Sequence, residues 1–422
     1  MPHPQTTPHR KGALYSFKET IESLVIAFIL AFVFRAFVVE AFVIPTGSMA
    51  DTLRGAHFNL TCPNCGYEYH FGFNPEYYLI PGSRQQSFDK GTIPPYPIEV
   101  APNRIGASIR PACPICNDQS NAKIKLQPSS GDRILVMKYI YQFVDPKIWD
   151  VVVFKNPTNP IENYIKRLIG RPGDKVEIID GDIYVNDLIQ PKPDHVQDVL
   201  WIKMYDHDLL PEKKSDSPAW NQPFQTAETS NRWLIDTGRR RLDFQGSGQP
   251  EILAFDPGQL QYKLQSFAAY NGSSIDSRAL ASDLKLQCIL TPGSDQGSLA
   301  LQLSKYGRTY RLDIDFQGNC SITSEFTGEI LARESCPPLR KGHPVQISFA
   351  ILDHQLLANI GRTRLAYTGA NRPEDWGYQS MVFHSDTQTL PNLHPALLEG
   401  DQILCRQVSL NGQTRWSFLT PD

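Results

Sequence analysis

Residues 150–185 read DVVVFKNPTNPIENYIKRLIGRPGDKVEIIDGDIYV, and this stretch decides the fold. Val151–Phe154 and Tyr164–Ile169 are short β-branched and aromatic runs bounded by Pro, Asn and Gly, the composition of strands. Two further strand-like runs, Val176–Ile179 and Ile183–Val185, are joined by Asp180-Gly181, a type I′ hairpin signal. Immediately upstream, GDRILVMKY (131–139) adds another. Short strands in close succession predict a mainly β core.

The chain around that core has 422 residues, 20% of them charged, with a formal net charge of −3. At ~150 residues per domain this length suggests two or three domains. The 21 Phe and 6 Trp exclude a wholly disordered chain. A balance of 41 basic against 44 acidic residues leaves no basic excess for a nucleic-acid partner. The mean hydropathy of −0.33 excludes a polytopic membrane protein but not a single span.

Such a span is present. Leu24–Phe34 is unbroken apolar sequence, and with one Arg and one Glu the apolar text continues to Ile44. As a helix, Leu24–Ile44 would be about 31 Å long, matching the hydrocarbon core. The predicted membrane helix covers residues 20–44, with Thr20 as its cap, Pro45 as its stop, and Arg35 and Glu40 reaching the outer interface. A cleaved signal peptide has a shorter apolar run, and a buried soluble helix is rarely apolar on every side. Arg10, Lys11 and Lys18 precede the block, so residues 1–19 are expected to be cytoplasmic and everything after Pro45 extracytoplasmic.

Two stretches interrupt the core. Residues 60–128 carry Cys62-Pro-Asn-Cys65 and Cys113-Pro-Ile-Cys116, two knuckles able to converge on one tetrahedral zinc. The competing reading is two disulfides or one redox pair in an oxidising compartment, and His57 and His70 are substitute ligands. Residues 201–370 alternate in the manner of half-buried strands at 284–290, 299–303, 310–316 and 345–351, which predicts a β-sandwich. Trp201, Trp220 and Trp233 are either ligand platforms or core, and Cys288, Cys320, Cys336 and Cys405 are of open redox state, Cys320 with Cys336 being one pairing. Residues 371–422 end in another strand-like run and are expected to return to the core formed by 45–59 and 129–200.

The chemistry rests on an order of motifs. A Ser beside Gly is ordinarily a turn residue, and a Lys before Arg ordinarily a solvated face. Here PTGSMADTL (45–53) follows the apolar block directly, GDRILVMKY and DVVVF come next, and YIKRLIGRPGD (164–174) closes the series. In that order the chain resembles type I signal peptidases, membrane-anchored Ser–Lys proteases that cut signal peptides from exported preproteins after a small-x-small motif. The inserted knuckles and sandwich resemble a planctomycete-like form of that family, the sandwich being concanavalin- or laminin-G-like, with a jelly-roll-like architecture.

The resemblance implies Ser48 as nucleophile, Lys166 as general base, and an oxyanion hole of the Thr46 hydroxyl and the Ser48 N–H. Arg167 and Asp132 are implied as supporting residues. It implies no cofactor for catalysis, structural zinc on Cys62, Cys65, Cys113 and Cys116, and signal peptides of preproteins and membrane lipid as partners. A glycan or a protein is the expected class of ligand for the sandwich, and nucleic acid is not a partner. The expected site is the inner cell membrane.

Three departures stand out. Asp51 occupies a usual Pro position, and Ile148-Trp149 replace a usual Arg-Gly. The family's last box, G-D-N-S-x-x-S-x-D-S-R-x-W-G, is missing from its expected place, where MVFHSDTQTL (381–390) holds Ser385-Asp386 as a faint remnant; SIDSR (274–278) is a better local match. That box would orient the lysine and pair with Arg167, so the alternative function is a catalytically impaired, membrane-tethered binding or scaffold protein.

Overall fold

A computed structural model describes residues 13–419 except 45, 90, 104–110, 158, 180, 212–221, 227–231, 247, 257–282, 306, 370–405 and 411–412. The segments SIDSR and MVFHSDTQTL, the expected cytoplasmic tail up to residue 12, Trp220 and Cys405 lie outside the described residues.

Helix α1 (Ala13–Phe37) is apolar on all sides from Leu24 to Phe34 and is followed almost at once by strand β1 (Val39–Val43). The helix is therefore shorter at its C-terminal end than the predicted 20–44, and longer at its start, with Thr20 inside it. The reason is local. Val39–Val43 finds a strand partner, and Glu40 reaches the Lys138 ammonium across the pair at 3.0 Å, whereas Arg35 lies in the last turn of the helix, where its charge suits the dipole. A 21-residue stretch of α1, Phe17–Phe37, is long and apolar enough to cross a membrane, and none of its most apolar window is buried within the molecule.

The remaining described elements are strands with one short helix and three 3-10 turns. In chain order, β2 (His57–Thr61), β3 (Glu68–Gly72), β4 (Ile98–Glu99) and β5 (Lys125–Leu126) belong to the first interruption. They surround a core of their own, built on Phe58, Phe71, Phe73, Tyr78 and Val100 with the four cysteines. The interruption leaves and re-enters at one point: His57 and Ser129 exchange backbone hydrogen bonds in both directions, at 3.1 and 2.8 Å.

β6 (Arg133–Met137) pairs antiparallel with β1, and β7 (Val151–Asn156) with β8 (Asn159–Arg167), setting Lys166 opposite Val152. β9 (Lys175–Ile179), β10 (Asp182–Val185) and β11 (Leu188–Ile189) form a meander with Ile179 opposite Asp182 and Gly181 at φ +93°. α2 (Asp194–Leu200) packs Val196 beneath it. Beyond two small hairpin pairs, β12 (Phe224–Thr226) with β15 (Leu253–Phe255) and β13 (Trp233–Asp236) with β14 (Arg241–Phe244), comes a two-sheet body.

Its first sheet has the order β16 (Leu284–Leu290), β21 (Val345–Leu352), β22 (Gln355–Ile360), β23 (Thr363–Thr368); the second has β17 (Ser298–Lys305), β18 (Arg308–Asp315), β19 (Asn319–Ser324), β20 (Ile330–Ser335). Leu312, Ile314 and Ile322 of one sheet meet Ile347, Phe349, Leu356 and Ile360 of the other in one buried cluster. That cluster also takes in Ile179, Tyr184 and Ile189, so the two-sheet body shares its core with the β9–β11 meander. Finally β24 (Arg406–Leu410) and β25 (Gln413–Leu419) form a hairpin, and β25 pairs antiparallel with β9. The chain ends where the core sheet began.

Of the four cysteines outside the knuckles, Cys288, Cys320 and Cys336 are thiols in this structure, so the pairing of Cys320 with Cys336 is not made. Burial, with the neighbouring Cys336 thiol, pushes the Cys320 thiol up to about 12. Trp233 packs on Phe244 with ring centres 4.8 Å apart, and Lys285 stands over the Trp201 ring, so neither indole is an open platform.

Candidate active site

The loop between β1 and β2 carries Thr46, Gly47 and Ser48, and it is clamped at both ends by one residue. The Asp132 carbonyl accepts from Ile44 N at 2.9 Å, its carboxylate accepts from Arg54 N at 2.8 Å, and its own N–H donates to the Arg54 carbonyl at 2.8 Å. The clamp needs bare backbone beside it. A Cβ on Gly131 would come within 2.0 Å of the Ile44 carbonyl oxygen, and one on Gly55 within 2.5 Å of the Thr46 carbonyl carbon. Beneath the loop, Ile44 and Met49 bury themselves against Ile165, Ile134 and Val153, which places Met49 in the floor of the site.

That packing brings two segments 118 residues apart into contact. The Lys166 amine donates to Ser48 Oγ at 2.6 Å and to the Ile165 carbonyl at 2.9 Å, and it lies 5.6 Å from the centre of the Tyr164 ring. Burial holds the Lys166 amine below the usual lysine range, because a charged ammonium loses hydration there. Ser48 is exposed at the surface, and Thr46 Oγ1 lies 3.4 Å from its Oγ. An exposed hydroxyl touching a half-buried amine with lowered proton affinity is an arrangement able to make a nucleophile.

Arg167, next to the amine, points the other way along the strand. Its guanidinium reaches the Trp149 carbonyl at 3.4 Å and Thr52 Oγ1 at 3.5 Å. Among the described residues no carboxylate pairs with it. Thr52 sits four residues after Ser48, so Arg167 ties β8 to the far side of the Ser48 loop. Trp149 has φ +78°, a left-handed conformation natural to glycine and costly for a bulky residue, while its ring is buried against Val176 and Val196.

Sequence reading missed a second set of polar contacts around the loop. Asp51 takes an ion pair from Arg54 Nε at 3.5 Å and faces His70 Nδ1 at 3.8 Å, and His70 packs edge-on against His57. Burial holds His70 below the usual histidine range. Position 51, in sequence only an unusual Asp, is thus where the cysteine-bearing interruption touches the Ser48 loop.

The four knuckle cysteines are buried, and their sulfurs all lie within 4.8 Å of one another. Cys62 approaches Cys116 at 3.5 Å and Cys65 approaches Cys113 at 3.6 Å. A tetrahedral ion with Zn–S bonds of ~2.3 Å sets its sulfurs about 3.8 Å apart, so the set fits zinc. The knuckles repeat the same backbone device. The N–H of Gly66 returns to the Cys62 carbonyl and that of Asn117 to the Cys113 carbonyl, both at 2.9 Å, with φ +76° and +59°. Asn64 N donates to Cys62 Sγ at 3.4 Å, the bond that spreads thiolate charge in such sites. His57 and His70 are outside this cluster.

Comparison with known proteins adds the following. Residues 115–228, just over a quarter of the chain, match the family model described as signal peptidase, peptidase S26; the match takes in Lys166 but not Ser48. Signal peptidase I of Rickettsia typhi is 54% identical over 43 residues, which is 10% of this chain and 16% of the relative. Probable thylakoidal processing peptidase 2, chloroplastic, of Arabidopsis thaliana is 39% identical over 67 residues, 14% of this chain and 18% of the relative. Thylakoidal processing peptidase 1 of the same plant is 37% identical over 70 residues, 14% of this chain and 21% of the relative. The chain thus spans about a fifth or less of the length of these relatives. No solved structure matches it. Its similarity to signal peptidases is carried by a segment that includes the β7–β8 hairpin, the element that holds the amine against Ser48.

Proposed function

We propose that the chain is a membrane-anchored serine endopeptidase that removes signal peptides from exported preproteins. The observation that carries this is the 2.6 Å contact between Ser48 Oγ and Lys166 Nζ. Neutral Lys166 accepts the Ser48 proton as Oγ attacks the carbonyl carbon of the scissile bond. The negative oxygen is held by the Ser48 N–H and the Thr46 hydroxyl, each such donor contributing ~3 kcal/mol. Lys166 returns the proton to the departing amine, leaving a signal peptide esterified to Ser48. Water, deprotonated by the same amine, hydrolyses the ester.

Helix α1 is the anchor, with the N-terminus cytoplasmic and the catalytic part outside. The outer face of the β1–β6 pair supports this reading: Met137, opposite the helix-proximal end of β1, and Leu135 and Val43 farther along the pair are exposed, as is Phe143 in the following turn. The four cysteines hold a structural zinc that takes no part in the reaction.

Ser48→Ala and Lys166→Ala are each expected to lower kcat/KM for a preprotein by roughly a thousandfold or more. Near-wild-type turnover by either variant overturns the assignment. The competing reading, a non-catalytic tether on the same fold, draws on the lack of a carboxylate beside Arg167 among the described residues. It requires that a serine-directed acylating reagent leave Ser48 unlabelled.

A further inference from the structure

A polar cleft of about 180 Å³ opens beside the nucleophile loop. Asp51 and Arg54 of the loop form one side, Tyr67 and His70 of the cysteine-bearing interruption another, and Ile202 with Lys203, in the segment after α2, the third. We propose that this cleft receives the polypeptide just C-terminal to the scissile bond, the part of the substrate that becomes the mature protein. The proposal rests on the peptidase reading and adds to it a specificity site supplied by the interruption.

Topology sets the side. β1 leaves the end of α1 and runs to Ile44 with Val39 opposite Met137 and Val43 opposite Arg133, so its far end carries the Ser48 loop. β2 then departs from the loop into the interruption. The apolar end of a substrate belongs with the helix and with the exposed Leu135 and Met137. The chain beyond the cut leaves from the opposite side of Ser48, where the cleft lies.

Size and charge set the class of occupant. Ligand pockets for cofactors and drug-sized molecules hold ~300–1,000 Å³. This cleft has room for a side chain or two. Its rim carries Arg54 and Lys203 against Asp51 and Glu68, so it has no net charge to select a free anion or cation. Asp51 is engaged by Arg54 and His70, and Lys203 by Asp206 at 2.5 Å. What remains open to a ligand is the partly exposed Tyr67 ring, the exposed Ile202 and the edge of Arg54, above a floor that includes buried Pro114. Those surfaces suit a peptide backbone with alternating polar and apolar side chains. They also account for Asp51: with Arg54 and His70 it fastens the cleft to the nucleophile loop.

The test uses the full-length protein in detergent and two synthetic substrates sharing one signal sequence. The first stops directly after the scissile bond with a small amide, and the second continues for ten residues. In the variant Ile202→Ser/Lys203→Glu, both exposed positions, the ratio of kcat/KM for the long over the short substrate is expected to fall about fivefold. An unchanged ratio overturns the proposal. Independently of turnover, a photoreactive residue placed fourth after the scissile bond should crosslink Ser48→Ala protein within residues 67–70 or 202–203. Crosslinks confined to other residues overturn it. Absence of cleavage of both substrates by the wild type, with the crosslink present, counts against the peptidase reading and for the cleft.

Discussion

The proposed chemistry turns on a single amine. Lys166 can act as a base only in its neutral form, and burial lowers the pH at which it becomes neutral. Processing is therefore expected to rise with pH along a limb whose midpoint lies below that of an ordinary lysine, as read from kcat/KM against pH. A limb at the ordinary lysine value removes the argument from burial. Lys166→Arg keeps a cation that stays protonated at any working pH, so it should be as inactive as Lys166→Ala. At this scale the sequence was informative because catalytic residue types sit in a recognisable order. Ser48 and Lys166, singled out by that order, lie in contact in the structure; the residues around them were legible only in part. Asp132 shows as a clamp, and Arg167 as a strut to Thr52 and Trp149, with no acid paired to it among the described residues. In sequence His70 reads only as a substitute metal ligand, because a contact with Asp51 across 19 residues leaves no periodic trace.

At the scale of elements, local composition predicted the core strands well and the end of the helix poorly. The run after Phe37 is as apolar as the helix before it, and hydropathy cannot tell a lipid-facing helix from a strand. Pairing with β6 made the difference, through β-branched Val39 and Val43 and the Glu40–Lys138 contact. The knuckles were legible because two thiolates at i and i+3 converge in any fold. A zinc held there would matter greatly for stability: structural zinc sites contribute ~10–16 kcal/mol in isolated peptides, as much as a whole domain's net stability. Purified protein should hold one zinc per chain by elemental analysis. Cys62→Ser with Cys65→Ser should lose it and open residues 57–129 to proteolysis. Wild-type protein free of zinc, with Cys62 and Cys65 disulfide-linked, overturns the metal assignment.

The whole molecule shows what pattern reading could not supply: the second interruption is not an appendage. The hairpin turn between β21 and β22 is Asp353-His354, both at positive φ and both fully buried. Asp-His in a two-residue turn reads as a solvated tip. Here it plugs into the core meander, with the His354 ring 2.7 Å from the Tyr184 hydroxyl and Asp353 paired to Lys192. Beside it, buried Lys305 joins Asp182 at 3.1 Å and Asp283 at 2.7 Å. Burial pushes the Asp353 and Asp283 carboxyls above the usual range, since an ionised carboxylate is poorly hydrated there. Removing one charge from such a network strands the others. Lys305→Met should cost about 3–5 kcal/mol by urea unfolding, and Tyr184→Phe about 1 kcal/mol. Neutral outcomes for both would mean that the two-sheet body is loosely attached.

The join between α1 and β1 has one more consequence. Only Val38 separates the helix from a strand whose five residues, extended, span about 17 Å. Because β1 is zipped to β6, it is a rigid post rather than a leash, and the headgroup layer beside it is itself only ~5–7 Å deep. On the proposed function, with α1 as the anchor, this pairing fixes how far Ser48 stands from the end of the helix. A family of preproteins with progressively longer polar spacers between the apolar segment and the cleavage site should be cut at a rate that drops once the spacer overshoots that distance, and a single residue added within β1 would turn its outward side chains to the opposite face.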